Sequence, residues 1–345
     1  MIFEQVRAGG CLSYFVACEE TCAAAVVDPE QGKIDHYTGL AAQKGVRIRY
    51  VIDTHTHADH FSAAREIAHR LDIPAIMHRR SLAPYAAMRV ECGESIALGK
   101  LRLRVMHAPG HTDDSMCLVL EDRVLTGDTL LIGGTGRTDL PSGSPEALHE
   151  SLFGRVLKLP ETHLVFPAHA YKDRVSTTIG AEKAANPRLQ KTERADFVEL
   201  MHGLDLAAPR HLTEALRTNR YGGKTVAQLI ADASGSIPFM SMTDALDCVK
   251  RGDTAISFLD VREREAFAAG HIPGAIHVPR GELELRIDKA LPDPTRRVVT
   301  CCRFGKISTL AAATLRSMGY TRVVALDGGM EAWAAAGHVL EKSPS

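Results

Sequence analysis

The stretch Asp53-Thr54-His55-Thr56-His57-Ala58-Asp59-His60 places a coordinating side chain at nearly every second position. Imidazoles packed this densely beside carboxylates have few uses other than holding metal. His111 in Ala108-Pro-Gly-His-Thr, Asp128 in Leu125-Thr-Gly-Asp-Thr and His169 in Ala168-His-Ala are ordinary loop residues when taken singly. Taken with the histidine-rich stretch, they complete a ligand set. A second chemistry is carried by Cys301-Cys302-Arg303-Phe304-Gly305-Lys306-Ile307-Ser308. A cysteine between a strand end and a helix start faces free backbone N–H groups and the positive end of the helix dipole. Both stabilise a thiolate or a persulfide anion, so this loop can hold a sulfur nucleophile.

The elements that must position these residues can be read from periodicity. Val46–Ile52 is an apolar-rich strand and Phe61–Leu71 a helix, which sets the histidine-rich stretch in a strand-to-helix turn. Ligands in α/β sheets collect at such turns. Leu12–Ala17 and Ala23–Val27 are strands, and Ile34–Gly45 is a short helix. Ala75–His78, Leu101–His107, Met116–Leu120, Arg123–Asp128 and His163–Pro167 are further strands, so His111, Asp128 and His169 sit at or after strand ends. Adjacent strands without intervening helices predict a mixed sheet. Ser144-Pro145-Glu146 is a helix start, with a capping hydroxyl and Pro at the first helical position. The run Ala233-Ser-Gly-Ser-Ile-Pro reads as a linker. The expected organisation is a domain over 1–232, a linker over 233–240 and a second domain over 241–345.

The 345-residue length is too great for one ordinary core, which also favours two domains. With 45% hydrophobic and 24% charged residues the chain is globular. Its 41 Lys+Arg balance 42 Asp+Glu without a basic tract, which argues against nucleic acid or a membrane surface as partner. The start of the sequence has no signal or transit pattern and no run is apolar enough to span a bilayer, so a cytoplasmic location is expected. Eight cysteines without CxxC pairing are expected to be reduced, with Cys11, Cys18, Cys22, Cys92, Cys117 and Cys248 read as small buried hydrophobes. Oligomeric state is left open.

His57-x-Asp59-His60 followed by Pro-Gly-His111-Thr, Gly-Asp128 and His169 resembles the metallo-β-lactamase superfamily over roughly residues 1 to 230. The resemblance implies an α/β fold, an αββα sandwich with the metal at one edge between two sheets. All seven positions of a two-metal set are present: His55, His57, Asp59, His60, His111, Asp128 and His169. Such a set suits a hydrolase in which metal-bound water attacks an ester, amide or thioester. A subset of His55, His111 and Asp128 would instead present two imidazoles and one carboxylate, as in non-haem Fe(II) oxygenases. The same residues can serve either chemistry.

Leu130-Leu-Ile-Gly-Gly-Thr-Gly-Arg137-Thr-Asp-Leu, Tyr171-Lys-Asp-Arg and Thr177-Thr-Ile-Gly-Ala-Glu-Lys-Ala-Ala-Asn-Pro-Arg-Leu resemble the persulfide dioxygenases. That resemblance implies one Fe(II) per chain on His55, His111 and Asp128, oxidising glutathione persulfide with O2 to glutathione and sulfite. It puts His57, Asp59, His60 and His169 around the iron, as an outer shell or a second-metal pocket, and Arg137 and Tyr171 near the glutathione cleft. A guanidinium suits the carboxylates of glutathione. Thr135 stands where the mitochondrial members have a cysteine.

Gly270-His-Ile-Pro-Gly-Ala-Ile-His-Val, the Cys302 loop and Leu326-Asp-Gly-Gly-Met-Glu-Ala-Trp333 resemble a rhodanese domain, a smaller α/β domain with a parallel sheet. Counted from Cys302, Cys-x-x-Gly-x-x-Ser fits the rhodanese loop, which implies that Cys302 accepts sulfane sulfur, while Cys301 ends the strand pointing inward. Ser308 stands where related phosphatases need Arg, and Ile307 replaces an Arg often found in the rhodanese loop, leaving Arg303 and Lys306 as the nearby cations. The expectation is a persulfide dioxygenase fused to a rhodanese that moves sulfur among thiosulfate, sulfite and glutathione. Two alternatives stand beside it: a glyoxalase II-like dimetal thioesterase, and a non-enzymatic persulfide carrier or sensor.

Overall fold

The computed structural model describes residues 1–170, 174–207, 209 and 212–343. The chain divides into two compact units, Met1–Gly223 and Lys224–Ser345.

The first unit begins with β1 (Ile2–Ala8), β2 (Cys11–Cys18), β3 (Ala23–Val27), α1 (Ile34–Gln43), β4 (Arg47–Ile52), α2 (Ala64–Leu71), β5 (Ala75–His78) and β6 (Met88–Val90). These six strands form one sheet in chain order, antiparallel from β1 to β3 and parallel from β3 to β6. Next come β7 (Ser95–Leu98), β8 (Leu101–His107), β9 (Met116–Val119), β10 (Arg123–Gly127), β11 (Leu130–Leu131), β12 (Gly134–Thr135), α3 (Pro145–Gly154), β13 (Leu164–Pro167) and β14 (Thr177–Thr178). The second sheet has the order β14-β13-β10-β9-β8-β7, and β11 and β12 make a small separate ribbon. Helices α4 (Ile179–Ala185), α5 (Arg194–His202) and α6 (Leu212–Tyr221) complete the unit.

Side-chain alternation explains why the sheets stack. Along β2, Leu12, Tyr14 and Val16 join Ile96, Leu103, Val105 and Leu118 of the second sheet in one buried cluster. Phe15 and Ala17 point the other way and pack with Ile34, Tyr37 and Ile67 from α1 and α2. In the second sheet, Met106, Val124 and Val165 turn outward onto Leu148, Leu152 and Phe197 of α3 and α5. The period of two along each strand therefore builds four layers, helix–sheet–sheet–helix, as expected. Each fully buried Leu, Val or Phe contributes about 1.5–3 kcal/mol toward holding those layers. Ser144 caps α3 by accepting from the Ala147 N–H, with Pro145 in the first turn. Helix α2 starts at Ala64 rather than Phe61, because the Ser62 hydroxyl is drawn to Asp53 and accepts from the Ala64 N–H.

The second unit runs α7 (Val226–Ser236), β15 (Phe239–Met240), α8 (Met242–Arg251), β16 (Ile256–Asp260), α9 (Arg264–Ala269), β17 (Ile276–His277), α10 (Leu283–Ala290), β18 (Arg297–Cys301), α11 (Lys306–Ser317), β19 (Val323–Leu326) and α12 (Gly329–Ala335). Its five strands are all parallel, in the order β15-β19-β18-β16-β17. The stretch 233–240, expected as a linker, is the end of α7 and the strand β15. Its small residues serve packing: Ala233 is buried, and the Arg316 guanidinium on α11 donates to the Ser236 carbonyl. A capping box at Thr225 and Gln228 starts α7. The division between units accordingly falls after Gly223 rather than at 232. Among the described residues no helix is long and apolar enough to cross a membrane.

Candidate metal centre and sulfur-carrying loop

Strand ends of both sheets deliver the candidate metal-ligating side chains to one place. The turn after β4 carries His55 to His60, the loop after β8 carries His111, Asp128 follows β10 and His169 follows β13. His55, His111 and Asp128 each bring one donor atom within 4.8 Å of the others, and all three are buried. His111 Nε2 lies 3.5 Å from Asp128 Oδ2.

The neighbours of each imidazole decide which nitrogen faces inward. Asp28, at the end of β3, accepts from the Thr54 N–H (2.7 Å) and the Thr54 hydroxyl (2.9 Å to Oδ2). With its proton so engaged, Thr54 Oγ1 can only accept from His55 Nδ1, 3.0 Å away, which leaves the His55 Nε2 lone pair free. His111 Nδ1 donates to the Arg137 carbonyl (2.9 Å), which likewise frees Nε2. Burial, with His57 adjacent, pushes the His55 imidazole well below its ordinary range, so it stays neutral. Both imidazoles are thus preset as ligands by outer hydrogen bonds.

The backbone makes room for this. Gly127 has φ +51°, and a Cβ there would fall 2.5 Å from Thr54 Oγ1. A Cβ on Gly136 would sit 2.0 Å from the Asp128 carbonyl oxygen and 3.0 Å from His111 Nδ1. Asp114 binds the histidine-rich turn to the His111 loop, accepting from the Thr56 N–H and hydroxyl (3.2 and 2.6 Å) and from Thr112 Oγ1 (2.7 Å). From α6, Asn219 donates to the carbonyls of His57 (2.9 Å) and His60 (2.8 Å).

Among the described residues, His55 Nε2 and Asp128 Oδ1 are buried without a hydrogen-bond partner, and so are His57 Nδ1 and His60 Nε2. Buried polar atoms normally find partners, so this cluster of exceptions needs a ligand. The donor set fits a metal ion. The remaining predicted residues lie close by. His57 Nε2 is 3.2 Å from Asp28. His60 Nδ1 is 3.3 Å from Asp59 Oδ2, and the His169 Nε2 lies 3.3 Å from the same oxygen and 3.4 Å from Asp128 Oδ2. Against the effect of burial, the hydrogen bond to Asp59 holds His60 up at about 10.

A cavity of about 1120 Å³ opens onto the centre, lined by Cys11, Asp59, His111, Asp128, Arg137 and His169 among others. The Arg137 guanidinium grips Asp139 through Nε and Nη2 (both 2.6 Å) and donates to the carbonyls of Leu206 and Ala207. Arg137 lines the cavity. Tyr171 lies outside the described residues. Cys11 departs from the sequence reading: it is partly exposed in this cavity, its Sγ 3.5 Å from Asp59 Oδ2. Cys22 and Cys92 are also not buried, since both lie on exposed turns. Asp28, Thr54, Asp114 and Asn219 escaped sequence reasoning. Only Asp28 left a signal, as a polar residue directly after an apolar strand.

In the second unit, Cys302 follows β18 and lines a cavity of about 780 Å³ with Arg303, Ile307, Met330 and Glu331. Cys301 packs on the other side of the strand against Trp333 and Met330, where burial first and Asp260 next push its thiol up. The loop is braced from inside: the Gly305 carbonyl accepts from Ser308 Oγ (2.9 Å) and Thr309 Oγ1 (2.7 Å), and the Cys302 carbonyl accepts from the Met330 N–H (2.8 Å). Ser308 is fully buried in this role. Arg303 pairs with Glu331, while Phe304, Lys306 and Ile307 are exposed.

Residues 8–169 match the model of the metallo-β-lactamase superfamily, and residues 242–336 that of the rhodanese-like domain. A mitochondrial persulfide dioxygenase, ETHE1 of Bos taurus, is 32% identical over 209 residues, covering 60% of this chain and 82% of that protein. The chain belongs to the metallo-β-lactamase superfamily. It is a fusion, joining a metallo-β-lactamase domain with persulfide dioxygenase relatives to a rhodanese-like domain. The crystal structure of ETHE1 from Myxococcus xanthus superposes with a TM-score of 0.63 at 35% identity, over 65% of this chain and 100% of that one. The hydroxyacylglutathione hydrolase of Anaeromyxobacter dehalogenans is also similar, 35% identical over 243 residues, covering 68% of this chain and 92% of that protein. The expected αββα sandwich and parallel-sheet rhodanese domain are therefore both borne out.

Proposed function

We propose that the first unit is a persulfide dioxygenase that holds one Fe(II) on His55, His111 and Asp128 and converts glutathione persulfide and O2 to glutathione and sulfite. The observation that carries this reading is the convergence of those three donors, with His55 Nε2 and Asp128 Oδ1 buried and unpartnered. Bound there, iron supplies open positions for a thiolate and dioxygen, together with the redox chemistry. The chain does the rest. Thr54 and the Arg137 carbonyl hold the two imidazoles in one tautomer, and burial keeps His55 neutral. His57, Asp59, His60 and His169 form the polar surround, and the cavity wall containing Arg137 takes the glutathione arm.

In the second unit, Cys302 is the sulfur carrier. Its thiolate attacks the sulfane sulfur of thiosulfate; the donor S–S bond breaks as the Cys302 S–S bond forms, and sulfite leaves. Attack by glutathione thiolate on that sulfur yields glutathione persulfide and restores Cys302. The reverse sequence uses the same groups. Oxygen uptake with glutathione persulfide, on protein of measured metal content, tests the first half. Iron-loaded protein that consumes no oxygen would refute it.

A dimetal thioesterase is the second reading, supported by the hydroxyacylglutathione hydrolase relative and by the unpartnered His57 Nδ1 and His60 Nε2. It requires about two metal ions per chain and acid release from S-acylglutathione without oxygen.

A further inference from the structure

Cys11 opens β2 and is fixed on both sides. The Leu12 N–H donates to the Ala168 carbonyl (2.7 Å) and the Ala170 N–H to the Gly10 carbonyl (3.2 Å), which sets Cys11 opposite His169 in a β-bridge. Among the described residues it is the one cysteine lining the metal cavity. Cys18 and Cys117 are buried elsewhere, and the exposed Cys22 and Cys92 do not line it. Cys11, Asp59 and His60 each bring one donor atom within 4.8 Å of the others. His169 Nε2 lies 3.3 Å from the Asp59 oxygen that faces Cys11 Sγ, and the His60 Nε2 is buried with no hydrogen-bond partner. A thiol that only filled space would not need a carboxylate and two imidazoles around it. A thiol placed to react would: Asp59 Oδ2 accepts from it, and the two imidazoles stand beside the sulfur where charge develops as it attacks.

We propose that Cys11 is a covalent acceptor of sulfane sulfur inside the metal cavity, taking it from low-molecular-weight persulfides. The Cys11 thiolate attacks the outer sulfur of the persulfide. The persulfide S–S bond breaks, a new S–S bond forms at Cys11, and glutathione leaves as thiolate, taking back from solvent the proton that Cys11 gave up. No electrons are gained or lost overall. The inference rests on the cavity receiving persulfides, as the proposed function has it, but not on their oxidation.

The test uses the full chain carrying Cys302→Ser, which removes the acceptor of the second unit. Iron-loaded protein is incubated with glutathione persulfide without oxygen, alkylated and digested. Cys11, Cys18 and Cys22 share one tryptic peptide, so fragment ions must assign the modified residue. The expected result is a mass gain of one sulfur atom on Cys11, reversed by dithiothreitol and reached sooner than any gain on Cys22 or Cys92. A Cys11 that stays unmodified, or gains sulfur no faster than those exposed thiols, overturns the proposal. Oxygen uptake by the same preparation separates the two claims. Uptake with unmodified Cys11 removes the sulfur acceptor alone, whereas modified Cys11 without uptake retains it and removes the dioxygenase.

Discussion

The Thr54 hydroxyl oxygen lies 3.0 Å from His55 Nδ1 and donates its own hydrogen bond to Asp28, so a buried carboxylate one step away fixes which nitrogen of the imidazole keeps a lone pair. Thr54→Val keeps the shape and removes that link. Iron affinity or oxygen uptake should fall by about 10–100-fold, the usual consequence of losing such an orienting partner. Thr54→Ser should retain most of both. Metal content and initial rates of the two variants decide the matter, and equal losses would point to packing instead.

Gly136 is placed where no side chain fits, since its Cβ would meet the Asp128 carbonyl at 2.0 Å and the His111 ring at 3.0 Å. Gly136→Ala should therefore displace two of the three candidate ligands at once. The expected outcome is loss of bound iron with little change in thermal midpoint of the second unit. Full iron occupancy in the purified variant would contradict this.

Cys302→Ser should abolish thiosulfate-dependent sulfur transfer and leave oxygen uptake with glutathione persulfide unchanged. Cys301→Ser should retain transfer, because Cys301 faces the core and its thiol is pushed up by burial. Paired rate measurements on both variants check it; transfer surviving in Cys302→Ser would move the role to Cys301.

His78 stacks on His107 with ring centroids 4.0 Å apart. Burial first, and the His107 charge next, push the His78 imidazole down to about 4. Its ordinary value is about 6.5. The unfolded chain therefore takes up a proton that the folded chain refuses. The contribution to stability is intact above about pH 6.5 and is eroded as pH falls toward about 4. His78→Gln should flatten that acid slope. Urea midpoints measured across the window test it, and an unchanged slope would refute it.

How much of this was legible in the sequence depends on whether a residue's partners are near it in the chain. His55, His111, Asp128 and His169 follow apolar runs, and those runs, with the period-two pattern of β8, predict strands whose ends gather ligands. Cys11 shows the opposite case. Its significance comes from Asp59, 48 residues away, and nothing beside it in the chain distinguishes it from a packing residue. Asn219 reaches His57 across 162 residues and could not be anticipated locally. The linker expected at 233–240 failed for another reason. Ala, Ser and Gly read as flexible, yet small residues also let α7 lie close on α11, where tertiary packing overrides propensity.

The reach of Asn219 also bears on how the molecule is made. A chain emerging from the ribosome delivers the histidine-rich turn early, but the amide that grips the carbonyls of His57 and His60 comes only with α6, at the end of the first unit. Until then the turn lacks two of its anchors, each worth about 1 kcal/mol. Assembly of the metal centre is thus timed to the completion of its whole domain, and a nascent chain short of residue 219 presents loose histidines rather than a finished site.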